Sequence, residues 1–336
     1  MTTERPLAPS RFMRDTPNQA GGGRNRAALV AKARASIEEG SKSFAAASML
    51  FDKRTRERVW LLYAWCRRCD DIADAQDMGG ELGDQSNPED RLKSIRVLTD
   101  RAFEGLPTAD VAFDAFGLVA KECGLTREMA DDVIAGFALD AKDWRPRGEG
   151  DLLQYCYHVA GAVGVMMAVV MGIAPDDEDT LDRACDLGLA FQLANIARDI
   201  TEDDAADRCY LPVEWLVEED IEPGQHTKPH HRQELADMAA KLVTLMEGHS
   251  QASKLGAAKL PFHSRWAILS AARIYTAIGH EVRRLGPAAW DHRVYISKAA
   301  KLRHVSAAFI EALANNPRQP DEMPRWSRRE LAASTT

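Results

Sequence analysis

Apolar residues recur at three- and four-residue intervals along most of the chain, and no stretch of strand length alternates apolar with polar. A period near 3.6 marks a helix with one buried face, and a period of two marks a strand. The pattern predicts helices over 26–39, 55–76, 88–104, 109–123, 127–142, 151–172, 178–204, 232–254, 263–285 and 297–315. Breaks fall at MGGELGDQSNP from 78, GLP from 105, RPRGEG from 145 and IEPGQHTKPHH from 221. Helices stop there because Pro lacks an amide donor and Gly costs backbone entropy. The longest apolar run, VAGAVGVMMAVVMGIA at 159–174, carries three glycines and falls short of the roughly 18–20 residues that span a bilayer, which predicts a buried core helix. Its small residues leave two readings open, close packing against another helix or room for a long chain-like ligand. The ends, 1–26 and 317–336, lack helical periodicity and read as flexible tails. What remains is an all-α protein, a single large helical domain over 27–316 with long helices around a central cavity.

On two of these helices the polar positions are themselves patterned. In YAWCRRCDDIAD from Tyr63, Asp70 and Asp74 are four apart with Arg67 one turn earlier, so the two carboxylates fall within about 40° of each other on a helix. With 51 acidic residues in 336, about eight such pairs arise by chance, most of them solvated. This pair alone therefore leaves a solvated face and a ligand site both open. FQLANIARDITEDD from Phe191 goes further. Gln192, Asn195, Asp199 and Asp203 follow at spacings of three, four and four on a helix otherwise rich in apolar residues, within a band of about 80°. Polar groups aimed at a core need partners. An acceptor-only oxygen set suits Mg²⁺, which takes one or two carboxylates and completes its shell with water and substrate phosphate. Arg67, Arg198 and Arg208 suit paired hydrogen bonds to diphosphate oxygens, or ordinary ion pairs with neighbouring acids.

Composition narrows the field. A formal net charge of −8 argues against general nucleic-acid affinity, which selects clustered cations. Cys66, Cys69, Cys123, Cys156, Cys185 and Cys209 mostly sit in apolar helical pattern, as buried thiols do in a reducing, cytoplasmic compartment. No signal-peptide pattern opens the chain. Cys66 and Cys69 have CxxC spacing, but without a second pair they read as small packing residues behind the carboxylate face. HTKPHH, with His226, His230 and His231, reads as a solvated loop. Arg11, Arg14, Arg24 and Arg26 at one end and Arg318, Arg325, Arg328 and Arg329 at the other fit either contact with anionic lipid or solubilising tails.

Taken together, SKSFAAASMLFD from Ser41, YAWCRRCDDIAD from Tyr63, YCYHVAGAVG from Tyr155 and LANIARDITEDDAADRCYLP from Leu193 resemble the squalene and phytoene synthase family of trans-isoprenyl diphosphate synthases, with bacterial phytoene synthases the nearest likeness. The resemblance covers about residues 27 to 316. It implies an isoprenoid synthase fold that joins two prenyl diphosphates head to head. In the phytoene branch, two geranylgeranyl diphosphates pass through prephytoene diphosphate to phytoene with Mg²⁺, or Mn²⁺, and without NADPH. A farnesyl-using sister and a catalytically silent assembly partner are the rivals. By position, Asp70, Asp74, Asn195, Asp199 and Asp203 match the metal ligands. Ser41, Lys42, Ser43, Arg67, Gln192, Arg198, Arg208, Tyr210, Tyr275 and Arg293 match the diphosphate region, and Tyr157 lies in the motif facing the reacting carbons. Tyr157 or Phe44 would steady an allylic cation through an aromatic face. Asp207 departs from the family pattern, which often has glycine there. The expected partners are the prenyl diphosphates, a downstream desaturase and peripheral contact with the inner membrane face, with no nucleic acid.

Overall fold

The computed structural model describes residues 19–75, 87–140, 144–222, 224–320, 322–324 and 326–333, and among them every regular element is a helix. In chain order these are α1 (Arg26–Gly40), α2 (Lys42–Ser48), α3 (Lys53–Ala73), α4 (Pro88–Phe103), α5 (Val111–Cys123), α6 (Arg127–Asp140), α7 (Glu149–Cys156), α8 (Ala162–Val170), α9 (Glu178–Ala205), α10 (Val213–Glu218), α11 (Arg232–Ala257), α12 (Phe262–Leu285), α13 (Lys298–Ala314) and α14 (Arg328–Ala333). The break at 78, the first 18 residues of the N-terminal tail and Arg325 lie outside the described residues. The ten helices expected from periodicity are present. Three short ones, α2, α10 and α14, were not expected: at six or seven residues they span too few turns to display a period.

The helices cluster into two compact units, residues 1–45 with 56–127, and residues 46–55 with 128–336. In the first, Trp65 of α3 stacks on Phe116 of α5 at 4.3 Å, and Phe103 of α4 meets Phe116 edge-on at 5.3 Å. The Trp65 indole N–H donates to Thr99 at 3.4 Å. Helix α5 is bounded by an Asp110 cap that accepts from the Ala112 amide, and by Gly124 at φ 76°. Glycine holds that left-handed C-terminal position without steric cost.

In the second unit α9 is the central element and packs most extensively on α11. It also meets the segment α7–α8 through glycines. A Cβ on Gly188 would stand 2.4 Å from the Ala160 carbonyl oxygen, and one on Gly164 would stand 2.6 Å from that of Ala184. The small residues of the 159–174 run therefore serve close helix packing at these points. The apolar stretch Glu149–Val170 is long and apolar enough to cross a membrane, yet 72% of its apolar window is buried in the protein, as a core helix requires. Instead of the one continuous helix expected over 151–172, a π-turn at Tyr157–Gly161 separates α7 from α8. Among the buried polar groups of this core, Asp186 of α9 contacts His249 of α11 at 2.7 Å and Arg183 at 2.8 Å.

Where periodicity places a tail after 317, the structure docks α14. Leu331 is buried, Arg328 pairs with Glu178 and approaches Asp182 at 3.3 Å, and Arg329 pairs with Glu178 at 2.8 Å. A buried leucine and a shared carboxylate anchor a helix too short to stand alone. Deleting residues 325–336 is expected to cost about 1–3 kcal/mol, the scale of one buried leucine plus lost charged hydrogen bonds, read as a lower thermal midpoint.

Candidate active site

In the first unit the polar face is built on α3. Tyr63, Arg67 and Asp70 follow at four and three residues, so they share a side of the helix. Arg67 donates to Asp70 at 2.9 Å and reaches Asp71 at 3.2 Å. Asp71, only 3% exposed, is a residue the sequence reading passed over. Its spacing of four from Arg67 was the available signal. Asp70 remains the more open carboxylate, at 44% exposure. Helix α3 stops at Ala73, short of the expected end at 76, and Asp74 lies in the following turn with its amide donating to the Asp70 carbonyl at 2.9 Å. Ser41 ends α1, and its hydroxyl accepts from the Phe44 amide at 3.3 Å to begin α2. Phe44 then meets Tyr63 edge-on at 5.5 Å, which brings the Ser41–Phe44 segment to the α3 face. Lys42 and Ser43 are exposed there.

Cys66 and Cys69 are free, with Cys69 buried. Burial pushes the Cys66 thiol up to about 12 and Cys69 well above its ordinary value. Thiols held protonated are poor nucleophiles and poor ligands, in keeping with the packing role read from the CxxC spacing.

In the second unit the stripe on α9 has the expected form. Gln192, Asn195, Asp199 and Asp203 are half-buried, while Leu193, Ala194, Ile196, Ala197 and Ile200 between them are buried. Asp199 is held from two sides. Arg198 forks onto it, one arm at 2.7 Å, and Arg293 contacts it at 2.9 Å and Glu202 at 3.5 Å. The loop carrying Arg293 is tied to α9 by Trp290, whose indole N–H donates to the Ala197 carbonyl at 3.2 Å. Tyr275 of α12 stacks on Phe191 at 4.0 Å and lies near enough to feel the charges of Arg198 and Asp199. The structure thus gathers Arg198, Tyr275 and Arg293 around Asp199. Asp203 differs: burial first, and the nearby Asp199 charge second, push its carboxyl up to about 7, against the pull of Arg208.

Beyond α9 the chain turns at Asp207, whose φ of 58° lies in the left-handed region. The family resemblance implied glycine here, and the backbone has the glycine-like conformation with an aspartate in it. Asp tolerates that region better than most residues, at a cost. Asp207→Gly is expected to raise stability by about 0.5 kcal/mol, the relief of left-handed strain less the chain entropy of glycine, visible as a small rise in thermal midpoint. After the turn Tyr210 stacks on Tyr155 at 4.7 Å, and Tyr155 on Trp144 at 5.5 Å. The Tyr155 hydroxyl donates to Asp140 at 3.1 Å.

Tyr157 is 1% exposed, and its hydroxyl donates to Asp132 at 2.6 Å. Asp132, whose backbone carbonyl also lies 2.9 Å from His158 Nδ1, was not marked in the sequence; nothing in its local pattern distinguishes it. His226 corrects the reading of its loop. Expected in a solvated loop, it is 2% exposed and lies 3.5 Å from Asp204. His230 stays exposed.

The family profile described as squalene/phytoene synthase matches residues 37–300. The chain belongs to the squalene/phytoene synthase family. Relatives include a phytoene synthase of Pseudescherichia vulneris, 46% identical over 83% of this chain and 91% of its own, and a 15-cis-phytoene synthase of Pantoea ananas, 42% identical over 90% and 99%. Among solved structures, a ligand-bound dehydrosqualene synthase superposes with a TM-score of 0.76 at 26% identity, covering 86% of this chain and 98% of its own. A squalene synthase from Alicyclobacillus acidocaldarius superposes with a TM-score of 0.70 at 21% identity, covering 80% and 98%. The fold is therefore the all-α isoprenoid synthase fold, as the family resemblance implied.

Proposed function

We propose that the chain is a phytoene synthase, a prenyltransferase that condenses two molecules of geranylgeranyl diphosphate head to head to prephytoene diphosphate, and rearranges that to phytoene with release of diphosphate. The observation that carries this reading is the 42–46% identity to phytoene synthases along nearly their full length. A dependence on Mg²⁺, with Mn²⁺ as a substitute, is part of the proposal. Among the described residues no three carboxylate, imidazole or thiol groups form a ready-made cage. Each unit nevertheless offers donors that fit a cation completing its shell with water and phosphate: Asp70 and Asp74 at the end of α3 in the one, and Asp199 and Asp203 on α9 in the other, where burial and the Asp199 charge push the Asp203 carboxyl up to about 7.

Asp70 and Asp74 in the first unit, and Asn195, Asp199 and Asp203 in the second, would hold metal, which when bound supplies positive charge to the departing diphosphate. The protein's own residues do the rest. Arg67, Arg198 and Arg293 carry forked donors already aimed at carboxylates, and a diphosphate presents the same oxygen geometry. Arg208, Lys42, Ser41, Ser43, Gln192, Tyr210 and Tyr275 complete the binding set. Such preorganised donors stabilise negative charge as the allylic C–O bond breaks. Tyr157, in the motif that faces the reacting carbons, would steady the allylic cation through its ring, with its hydroxyl held by Asp132.

The test is incubation with geranylgeranyl diphosphate and Mg²⁺, with and without NADPH, and mass analysis of the organic extract. A forty-carbon hydrocarbon formed without NADPH is expected. Turnover of farnesyl diphosphate alone would move the chain to the shorter-chain branch that the dehydrosqualene synthase neighbour represents, and no turnover of either would support a silent assembly partner. A cytoplasmic location at the inner membrane face, with a desaturase as the consumer of the product, belongs to the same proposal, because both substrate and product would be lipids.

A further inference from the structure

Four of the terminal arginines, which fit either lipid contact or solubilising tails, are engaged in ion pairs. Arg24 pairs with Asp114, Arg26 with Glu122, and Arg328 and Arg329 with Glu178. Another surface has the right chemistry. Helix α13 is inside out: its buried positions are Ala308 and Ala312, while Leu302, Ile310 and Leu313 are 67%, 69% and 62% exposed. Its inner face is fixed by specific contacts. The Trp266 indole N–H donates to the Val305 carbonyl at 2.9 Å, Arg265 donates to the Ala312 carbonyl at 3.0 Å, and Glu311 binds Arg273 at 2.9 Å and Lys254 at 3.0 Å. The helix therefore cannot roll its large residues inward. A helix that buries alanine and exposes leucine and isoleucine reverses the usual amphipathic arrangement.

The charges around the stripe say what covers it. At about 100° per residue, Phe309, Leu302, Leu313 and Ile310 fall in a sector of about 100°, with Lys298 at one edge and Arg303 at the other. Glu311 is the sole carboxylate of α13, and it points away to its two cations. In a chain of net charge −8, this helix carries Lys298, Lys301 and Arg303 against that one acid. A second copy docking on the same face would set cations against cations, whereas apolar residues flanked by Lys and Arg match the acyl and headgroup layers of an anionic bilayer. We infer that α13 is a membrane-docking helix, lying in the plane of an anionic lipid surface with Leu302, Ile310 and Leu313 inserted, Phe309 packed back on Phe262 and Trp266, and Lys298 and Arg303 at the headgroups. This inference stands independently of which prenyl diphosphate the enzyme uses.

The experiment is co-sedimentation of the full chain with vesicles of phosphatidylcholine containing phosphatidylglycerol, and with phosphatidylcholine alone, at low and high salt. The wild type is expected to partition onto the anionic vesicles at low salt. The triple variant Leu302→Ser, Ile310→Ser, Leu313→Ser is expected to bind at least about tenfold more weakly with an unchanged thermal midpoint. Lys298→Glu with Arg303→Glu is expected to weaken binding and flatten its salt dependence. Equal binding by wild type and triple variant would overturn the inference, as would a wild-type dimer in sedimentation that the triple variant converts to monomer without any vesicle binding.

Discussion

Asp199→Ala is expected to lower turnover of the prenyl diphosphate by at least roughly 10²–10³-fold, the range found when one preorganised charge-stabilising group is removed, and Asp70→Ala to do the same. The two variants should differ in stability. Asp70 is the more open acid on α3, and Asp71 still holds Arg67 when it is lost, so Asp70→Ala should melt close to the wild type. Asp199 neutralises Arg198 and Arg293 together. Its removal leaves a half-buried guanidinium without its acceptor, at a cost of about 1–3 kcal/mol. The same variant removes a charge that raises the Asp203 carboxyl, which should therefore titrate lower. Steady-state kinetics, thermal melting and a carboxyl titration by NMR separate the three effects. Near-normal turnover in either variant would sink the assignment of these aspartates to the chemistry.

The aspartates were legible because their signal is local. A helix fixes the relative azimuth of residues three and four apart, so the stripe Gln192, Asn195, Asp199, Asp203 could be drawn from spacing alone, and the structure half-buries all four among buried aliphatics. The helices themselves were legible for the same reason. What spacing does not carry is partnership across the chain. Arg293 reaches Asp199 from a loop 94 residues away, and only the family resemblance pointed to it. Asp132 is chosen by Tyr157 across 25 residues and had no local mark at all. The docking of α14 was missed because one buried leucine and two arginines on a shared glutamate leave no period to detect. His226 was misplaced because a Pro-bearing polar loop was taken as solvated throughout, while the fold buries one of its three histidines beside Asp204. The choice left open for the small residues at 159–174 turned on backbone approach, which is visible only where Gly164 and Gly188 let neighbouring carbonyls come close.

Divalent-cation affinity should depend steeply on pH, and the cause lies in Asp203. Its carboxyl is pushed up to about 7 by burial and by Asp199, so in the metal-free folded chain it holds a proton that an unfolded chain would release near its ordinary carboxylate pKa. The sign follows. Between the unfolded value and about 7 the folded state binds the extra proton, so this group's contribution to stability falls as pH rises through that window. A cation reverses the balance because it binds the ionised carboxylate and must displace the proton below pH 7. With one proton released per site, apparent affinity should weaken about tenfold at pH 6 relative to its plateau above pH 7, and about a hundredfold at pH 5. Titration of the protein with Mn²⁺, followed by the loss of the free-ion paramagnetic resonance signal, reads this directly without turnover. Asp203→Asn should bind more weakly throughout and lose the slope between pH 5 and 7. An affinity for Mn²⁺ that is equal at pH 5.5 and pH 8 in the wild type would remove Asp203 from the ligand set and leave its buried proton to a purely structural role on α9.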